Sequence, residues 1–488
     1  MPKFEVKHKK SGDAIASGSA KSLKELVESA IKFGSQGLLK TALAKLKLKQ
    51  AEATRFYGAD LAGQDLSKID LTGGVFEGAD LSGANLSGSF MEGADFSRAD
   101  LKNADLSGAT ISGTNFTDAD LTGANLTNVK FDKVDFTGAK LCSSDLSRVK
   151  LNKATLVKAD LSDARMGGCD FSKVQLNGNK MRGAELSYAI LAWAKLTEVD
   201  LSGANLERAD LNKATLSKCD LSSAIMSDAV MTEADLSEST LPGAVLSSAK
   251  LIGARIRNAG AQGVKLDAAK LSGADLSGSD FSRGDFTETD LSQAKLIGTS
   301  LAGAKLGKAN LVRANLSKAV LDQAAAHKIE MMEANLTQAS LRNADLSEAK
   351  LDGADLSSAD LSGATLSQAR FDKAKLSAAK LSGAKLDNAS FQAVDLSGAD
   401  LVGADVSGAD FHTARLDDAD FSKGVLIGTK LSGVNLLRTK FIQANLTKAD
   451  FSWATVEESD FTGVKISQTS FRSAQIKSVK GIKFPKKA

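Results

Sequence analysis

The sequence of 488 residues predicts an all-β solenoid, and two observations carry that reading. From Phe56 to Ile476 a large apolar side chain returns at every fifth residue with no insertion or deletion, as in Leu61, Leu66, Leu71, Phe76 and Leu81. Only Ala261 and Ala326 break the rule in about 85 such positions. The second observation is a small residue, mostly alanine, two places before each central one: Ala59, Ala79, Ala84, Ala94, Ala99 and Ala104. A period of five fits neither an amphipathic helix nor a half-buried strand, so a short unit must stack on itself. Length alone would suggest about three domains, but a repeat that never loses its frame overrides that rule.

The elements follow in order. Residues Phe4 to Ser17 alternate about Ser11-Gly12-Asp13, the pattern of a β-hairpin. Ser22 with Glu25 forms a capping-box signal before Leu23, Leu26, Val27 and Ile31, and Gly34 stands at the stop position. A second helix is expected from Gly37 to Glu52, apolar at Leu38, Leu39, Leu43 and Leu46 and basic at Lys40, Lys45, Lys47 and Lys49. Residues 1–55 therefore read as a small α/β cap, needed because a solenoid end exposes apolar cross-section and unpaired backbone. Residues 56–479 are the repeat and 480–488 a basic tail. That tail is little material for a cap, so the phenylalanine-rich last coils are expected to be covered by a second copy or another protein.

Each position of the repeat has a physical reason. The large residue fills the axis, and the small one two places earlier lets the chain turn inward without a clash. Asp or Asn precedes the central residue, and Ser or Thr, then often Gly, follow it, as in Ala-Asp-Leu-Ser-Gly from Ala79 onward; these are turn residues that bond nearby backbone. This block resembles the pentapeptide-repeat family, whose Ala-(Asp/Asn)-Leu-X-X consensus is matched from Ala59 to Val479. The resemblance implies a right-handed quadrilateral β-helix with four pentads per coil. Phenylalanines at intervals of 20 support the same coil independently: Phe56, Phe76, Phe96, Phe116 and Phe136, then Phe371, Phe391 and Phe411, and separately Phe421, Phe441 and Phe461. Stacked at a strand-like rise, they form the expected core of a straight solenoid of about 21 coils and about 100 Å.

Charge is uneven: about +7 before Gly58, about −11 from there to Asp460, and about +7 beyond. The first residues lack the apolar core of a secretory signal, and no run approaches the roughly 18 apolar residues of a membrane span. A cytoplasmic protein, or a component of a phage particle, is the expectation, with no membrane partner. Cys169 and Cys219 occupy small-residue positions and read as core. His8, His327 and His412 are too scattered for a metal cluster; His327, near Glu330 and Glu333, sits in a departure from the consensus that reads as a bulged coil. With no nucleophile, phosphate loop or metal spacing, the sequence points to no enzyme, no metal and no cofactor.

Two outward signals remain. Tyr188 and Trp193 occupy turn positions of successive pentads with Ile190 between them. They are expected on neighbouring faces around one corner, as a lateral contact patch. Asp60, Asp80, Asp100 and Asp120 recur at 20 and should stack in one column, bonded to local turn amides. The sequence thus suggests a non-catalytic rigid protein that presents surfaces to unidentified protein partners, with self-association through the C-terminal coils as one form. The alternative comes from the resemblance: quinolone-resisting members bind type II topoisomerases with acidic surfaces that imitate duplex DNA. Lys140, Lys180, Lys380 and Lys440 interrupt that acidic column here, and nucleic acid itself is not an expected partner. A hairpin-and-helix start before the repeats also resembles an arrangement in bacterial and phage members.

Overall fold

The structure, a computed structural model, describes residues 3–7, 14–19, 27 and 56–482. Two compact units, Met1–Thr240 and Leu241–Ala488, make up the chain. In the first unit β1 (Lys3–Lys7) pairs antiparallel with β2 (Ala14–Ser19), Lys3 facing Ser19; this is the expected hairpin, its turn lying outside the described residues. Of the first expected helix only Val27 is described, and it is buried. The second helix, and the tail beyond Ile482, lie outside the described residues.

From Phe56 onward each unit is built from one closed turn of backbone repeated. The central amide of a pentad donates to the carbonyl 19 residues ahead, as Leu61 N to Asp80 O at 2.8 Å, and the residue before the next central position donates 21 back, as Asp80 N to Ala59 O at 2.8 Å. Parallel bridges consequently join residues 20 apart, Asp60 to Asp80 to Asp100 to Asp120 in the first unit and Asp355 to Lys375 to Asp395 in the second. A register of 20 with a period of five means four pentads per coil, as the phenylalanine spacing requires. Where three residues pair in a row the bridge becomes a short strand, as in β3 (Thr110–Ser112) with β4 (Lys130–Asp132). In the second unit β5 (Asn435–Leu437), β6 (Thr455–Glu457) and β7 (Gln475–Lys477) do the same.

A tight turn joins consecutive pentads. The amide three residues after a central residue donates back to its carbonyl, as Ala79 N to Phe76 O at 3.0 Å. The second residue of the turn is left-handed, with φ of 63° at Gly83 and 55° at Arg98, the requirement of a type II turn. Glycine is frequent there because it adopts that φ without Cβ strain. The aspartate before each central residue closes the turn from the side: Asp80 accepts from Ser82 N at 3.0 Å and Asp120 from Thr122 N at 3.2 Å.

The core is a column of central side chains with alanines between them. Phe56, Phe76, Phe96, Phe116 and Phe136 are buried and stack with centroids 4.8–5.4 Å apart. Phe371, Phe391 and Phe411 stack at 4.8 and 4.7 Å, and Phe421, Phe441 and Phe461 at 5.4 and 4.9 Å. Parallel offset rings at that separation add a modest attraction to their burial. Cys169 and Cys219 are buried in alanine positions, their thiols facing the carbonyls of Leu146 and Leu196 at 2.8 Å, and burial pushes both up to about 12. They are held as thiols, in keeping with the core role expected of them.

The expected bulge at Ala324–Glu330 does not form. Ala325 keeps its bridges to Lys305 and Asp345, and Ala326 is fully buried. A small central residue removes volume without lengthening the backbone, so the ladder is undisturbed. Among the described residues of the first unit the bridge is missing instead at two steps, Lys130 to Lys150 and Thr155 to Gln175, and the first of these is overfilled. Lys130 and Lys150 form no bridge, although Thr110 pairs with Lys130 and Lys150 with Asp170. At this step Phe131 is incompletely buried and meets Phe136 edge-on at 5.8 Å. The equivalent pair Phe281 and Phe286 is fully accommodated at 5.5 Å because Gly284 lies between them. A Cβ there would stand 2.9 Å from the Phe286 ring; Val134 occupies the corresponding place beside Phe136.

A second local conflict sits at Asn179, in an alanine position. Polar residues in such positions normally donate to a carbonyl of the adjoining coil, as Thr114 to Met91 O and Ser239 to Leu216 O, both at 2.6 Å. Asn179 is 1% exposed and neither atom of its amide has a partner. Replacement by the alanine that the repeat prefers removes an unmet polar group, so Asn179→Ala should raise stability by about 1–2 kcal/mol. A higher urea midpoint with stronger amide protection in the flanking coils would show it; a lower midpoint would mean that the side chain packs better than its hydrogen bonding implies.

Stability should also fall in acid. Burial pushes the Asp120 and Asp220 carboxyls up, but the hydroxyl and amide bonds from Thr122 and Ser222, helped at Asp120 by Lys102, outweigh it and hold both below the ordinary carboxylate range. At Asp460 the Thr462 hydroxyl and amide act in the same downward sense. A lowered native value means that the unfolded chain binds more protons, so this contribution is complete above roughly pH 4 and lost as pH falls through the native values. Thermal melts should therefore be flat from neutrality to about pH 5 and drop steeply below pH 4.

Candidate functional site

Because almost every inward position is committed to packing, a site must be sought where the outward positions depart from small polar residues. In the first unit Tyr188 and Trp193 are the second residues of consecutive turns, with φ of 57° and 62°. Ile190 holds the bridge position between the two turns, paired with Asp170 and Asp210. The aromatic residues therefore bracket a single face at its two edges, rather than lying on two faces around one corner as the sequence suggested. All three are open to solvent: Tyr188 57%, Ile190 41% and Trp193 54%. Phe90, 54% exposed, lies in the same bridge column, which runs Asp70, Phe90, Thr110 and Lys130.

Each ring is held from the next coil. The Arg208 guanidinium donates to the Tyr188 hydroxyl at 2.6 Å with its carbon 5.7 Å from the ring centre, and the Lys213 ammonium lies 4.8 Å from the Trp193 ring centre. Those cations are steadied in turn by Asp228 at 3.5 Å and Glu233 at 3.4 Å. Cation–π contact fixes one side of each ring and so limits rotamer loss on binding. A groove of about 580 Å³ opens beside Tyr188, lined by Arg148, Ser147, Gly167, Gly168 and Ser187 among others. It exists because Gly167 and Gly168 bring no side chain to the corner.

The acidic column is arranged as expected, with Asp60, Asp80, Asp100 and Asp120 bridged in sequence and each carboxylate accepting from the amide two residues on. Lys102 joins Asp100 and Asp120 at 3.2 and 3.4 Å, and Lys140 follows Asp120 at 3.6 Å. His327 pairs with Glu348 at 3.7 Å, not with Glu330 or Glu333, which pair with Lys350 and Arg313. Side chains here meet partners one coil away before they meet those nearby in sequence. His412 faces the Ser432 hydroxyl at 3.3 Å. Among the described residues no group of His, Cys, Asp and Glu could hold a metal ion, and no helix is long and apolar enough to cross a membrane. In the second unit Ile466 is 49% exposed, whereas the central residues preceding it are closed.

Sequence reasoning found the aromatic patch but missed the cations that clasp it. The signal was present: Arg208 and Lys213 each stand 20 residues after the ring they cover.

Comparison with known proteins gives the family. No curated protein matches the chain. Among solved structures, HetL, a pentapeptide-repeat protein involved in heterocyst differentiation regulation from the cyanobacterium Nostoc sp. strain PCC 7120, is 33% identical over 44% of this chain and 88% of its own, with a TM-score of 0.29. QnrB1, a plasmid-mediated fluoroquinolone resistance protein, is 20% identical over 44% of this chain and 90% of its own, with a TM-score of 0.22. Rfr23 from the cyanobacterium Cyanothece 51142 is 24% identical over 25% of this chain and 63% of its own, with a TM-score of 0.12. The family model described as Pentapeptide repeats (8 copies) matches in successive segments from 54–93 to 425–463, interrupted only at residues 260–261. With its repeats matched over most of its length, the chain belongs to the pentapeptide-repeat family, whose members fold as right-handed β-helix solenoids.

Proposed function

We propose that this protein is non-catalytic and binds other proteins through the patch of Tyr188, Ile190 and Trp193. The observation that carries the reading is that three large apolar side chains stand open within six consecutive residues, on a coil whose outward positions are elsewhere mainly polar. Singly exposed apolar residues need no explanation, but a cluster of aromatics with satisfied polar tips has the make-up of an interface anchor. Both aromatics also occupy the left-handed turn position, where bulky side chains are disfavoured. They are therefore costly as structure and useful as contact. A photo-crosslinking residue at position 190, introduced in cells of the source organism, should yield adducts of discrete mass. Tyr188→Ala together with Trp193→Ala should abolish those adducts while leaving the melting temperature within a few degrees, since both rings are exposed. Adducts that persist unchanged in the double variant would remove the patch from consideration.

The DNA-mimicking reading finds less support. Its acidic column is interrupted by Lys140 and partly neutralised from beside by Lys102, which lowers the field that an imitation of duplex phosphate needs. The protein at micromolar concentration should leave gyrase supercoiling, and its inhibition by a quinolone, unchanged; protection from the drug in that assay would restore topoisomerase binding as the better reading.

A further inference from the structure

The face that carries Tyr188, Ile190 and Trp193 holds a second feature three coils away. Reading its bridge column downward from Ile190 gives Asp170, Lys150 and Lys130, and reading the turn column downward from Trp193 gives Lys173, Lys153 and Lys133. Arg148 stands in the other flanking turn, two coils below Tyr188, and lines the groove. All of these cations are solvent-exposed.

What sets them apart is that they cluster, for unpaired cations stand singly elsewhere in the first unit too, as Lys158, Arg182 and Lys195. Elsewhere in the first unit cations commonly pair with a carboxylate one coil away, as Lys140 with Asp120, Arg165 with Asp145, Lys180 with Asp160 and Lys218 with Glu238. On this face Lys153 meets Asp132 at 3.0 Å, but among the described residues Lys130, Lys133, Arg148, Lys150 and Lys173 form no ion pair. Asp170 is already occupied by the amide and hydroxyl of Ser172. Lys130 and Lys150 moreover occupy consecutive coils of this column with no bridge between them. Like charges in register repel one another, and an anion supplied from outside relieves them.

We propose that this face binds an extended acidic segment of a partner protein: one large apolar residue seated against Tyr188, Ile190 and Trp193, and a run of Asp or Glu lying over Lys173, Lys150 and Lys130. Three coil steps at a strand-like rise span about 14 Å, the reach of about four extended residues. A run of four or five carboxylates therefore fits the five unpaired cations. Single-stranded nucleic acid fits less well, because one side of each aromatic ring is taken by Arg208 or Lys213 and so is closed to a stacking base. This inference rests on the reading of the aromatic patch as a protein contact, and adds the chemistry of the partner.

The test uses the full chain and fluorescence anisotropy with a labelled peptide of one tryptophan followed by five glutamates, the same peptide with glycine for tryptophan, and a 15-nucleotide oligothymidine. The tryptophan peptide should bind, and binding should weaken steeply with added salt. Loss of its tryptophan should weaken binding about tenfold. The triple variant Lys130→Glu, Lys150→Glu, Lys173→Glu should weaken it by at least as much, with Lys→Gln replacements substituting should that variant fail to fold. Tyr188→Ala with Trp193→Ala should weaken the tryptophan peptide and leave the glycine peptide unaffected. No binding, equal binding by wild type and the triple variant, or tighter binding of the oligothymidine would overturn the inference. Persistence of position-190 adducts alongside failure of the acidic peptide would overturn only the partner's chemistry, whereas loss of both would remove the contact reading as well.

Discussion

The interaction on which the rest depends is the backbone hydrogen bond between neighbouring coils. The amide of a central residue reaches the carbonyl 19 positions on, and the amide of the residue before the next such position reaches 21 back. Once those two bonds are made, every residue is fixed above its counterpart 20 away. Phenylalanine then stacks on phenylalanine, aspartate on aspartate or lysine, and a cation on the ring below it. Side-chain chemistry in this chain is consequently two-dimensional: sequence supplies the order around a coil and the ladder supplies the order along it. The approach of His327 to Glu348 rather than to Glu330 or Glu333 is a direct outcome.

The limits of the fold are set by volume more than by hydrogen bonding. Ala326 leaves the ladder intact although it underfills its coil, because packing loss costs contacts without displacing backbone. Phe131 beside Phe136, with Val134 near them, is left incompletely buried, because excess volume must move something. Phe281 beside Phe286 shows the remedy, a glycine in the alanine place at Gly284. The small-residue position admits Ala, Ser, Thr and Cys widely and also takes Ile69, Ile329 and several valines fully buried, so what it accepts depends on the central residues beside it. Asn179 departs from the position in polarity rather than size, since its amide is buried without a partner.

The fold was legible because its two periods are carried by the residues that make it: five from Leu61, Leu66 and Leu71, and 20 from Phe56, Phe76 and Phe96. The hairpin of β1 and β2 was legible from alternation about Ser11-Gly12-Asp13. The candidate site was legible only in part. Tyr188 and Trp193 stand out by rarity, but the clasp by Arg208 and Lys213 and the unpaired lysines appear only when outward residues are also read at 20. The break at Phe131 could not be read at all from periodicity, since Phe131 satisfies the five-residue rule as well as any other residue; only the volume of its neighbours distinguishes it from Phe281.

Why the exposed aromatics should sit in turns follows from the same geometry. A bridge residue is flanked above and below by its counterparts at the coil spacing, close to that between paired strands, so a large group there stands open only where those counterparts are small, as Phe90 does between Asp70 and Thr110. A turn residue projects from a corner and has open space beside it wherever the coil below carries glycine, as Gly168 does below Tyr188. The left-handed φ that the turn imposes disfavours a bulky side chain, and a cation from the coil above restores part of that loss by holding the ring. Tyr188 under Arg208 and Trp193 under Lys213 follow this arrangement on either side of Ile190. A surface so constructed is rigid before any partner arrives, which suits a β-helix whose inward side chains are committed to packing and whose selectivity must be written on its corners and faces.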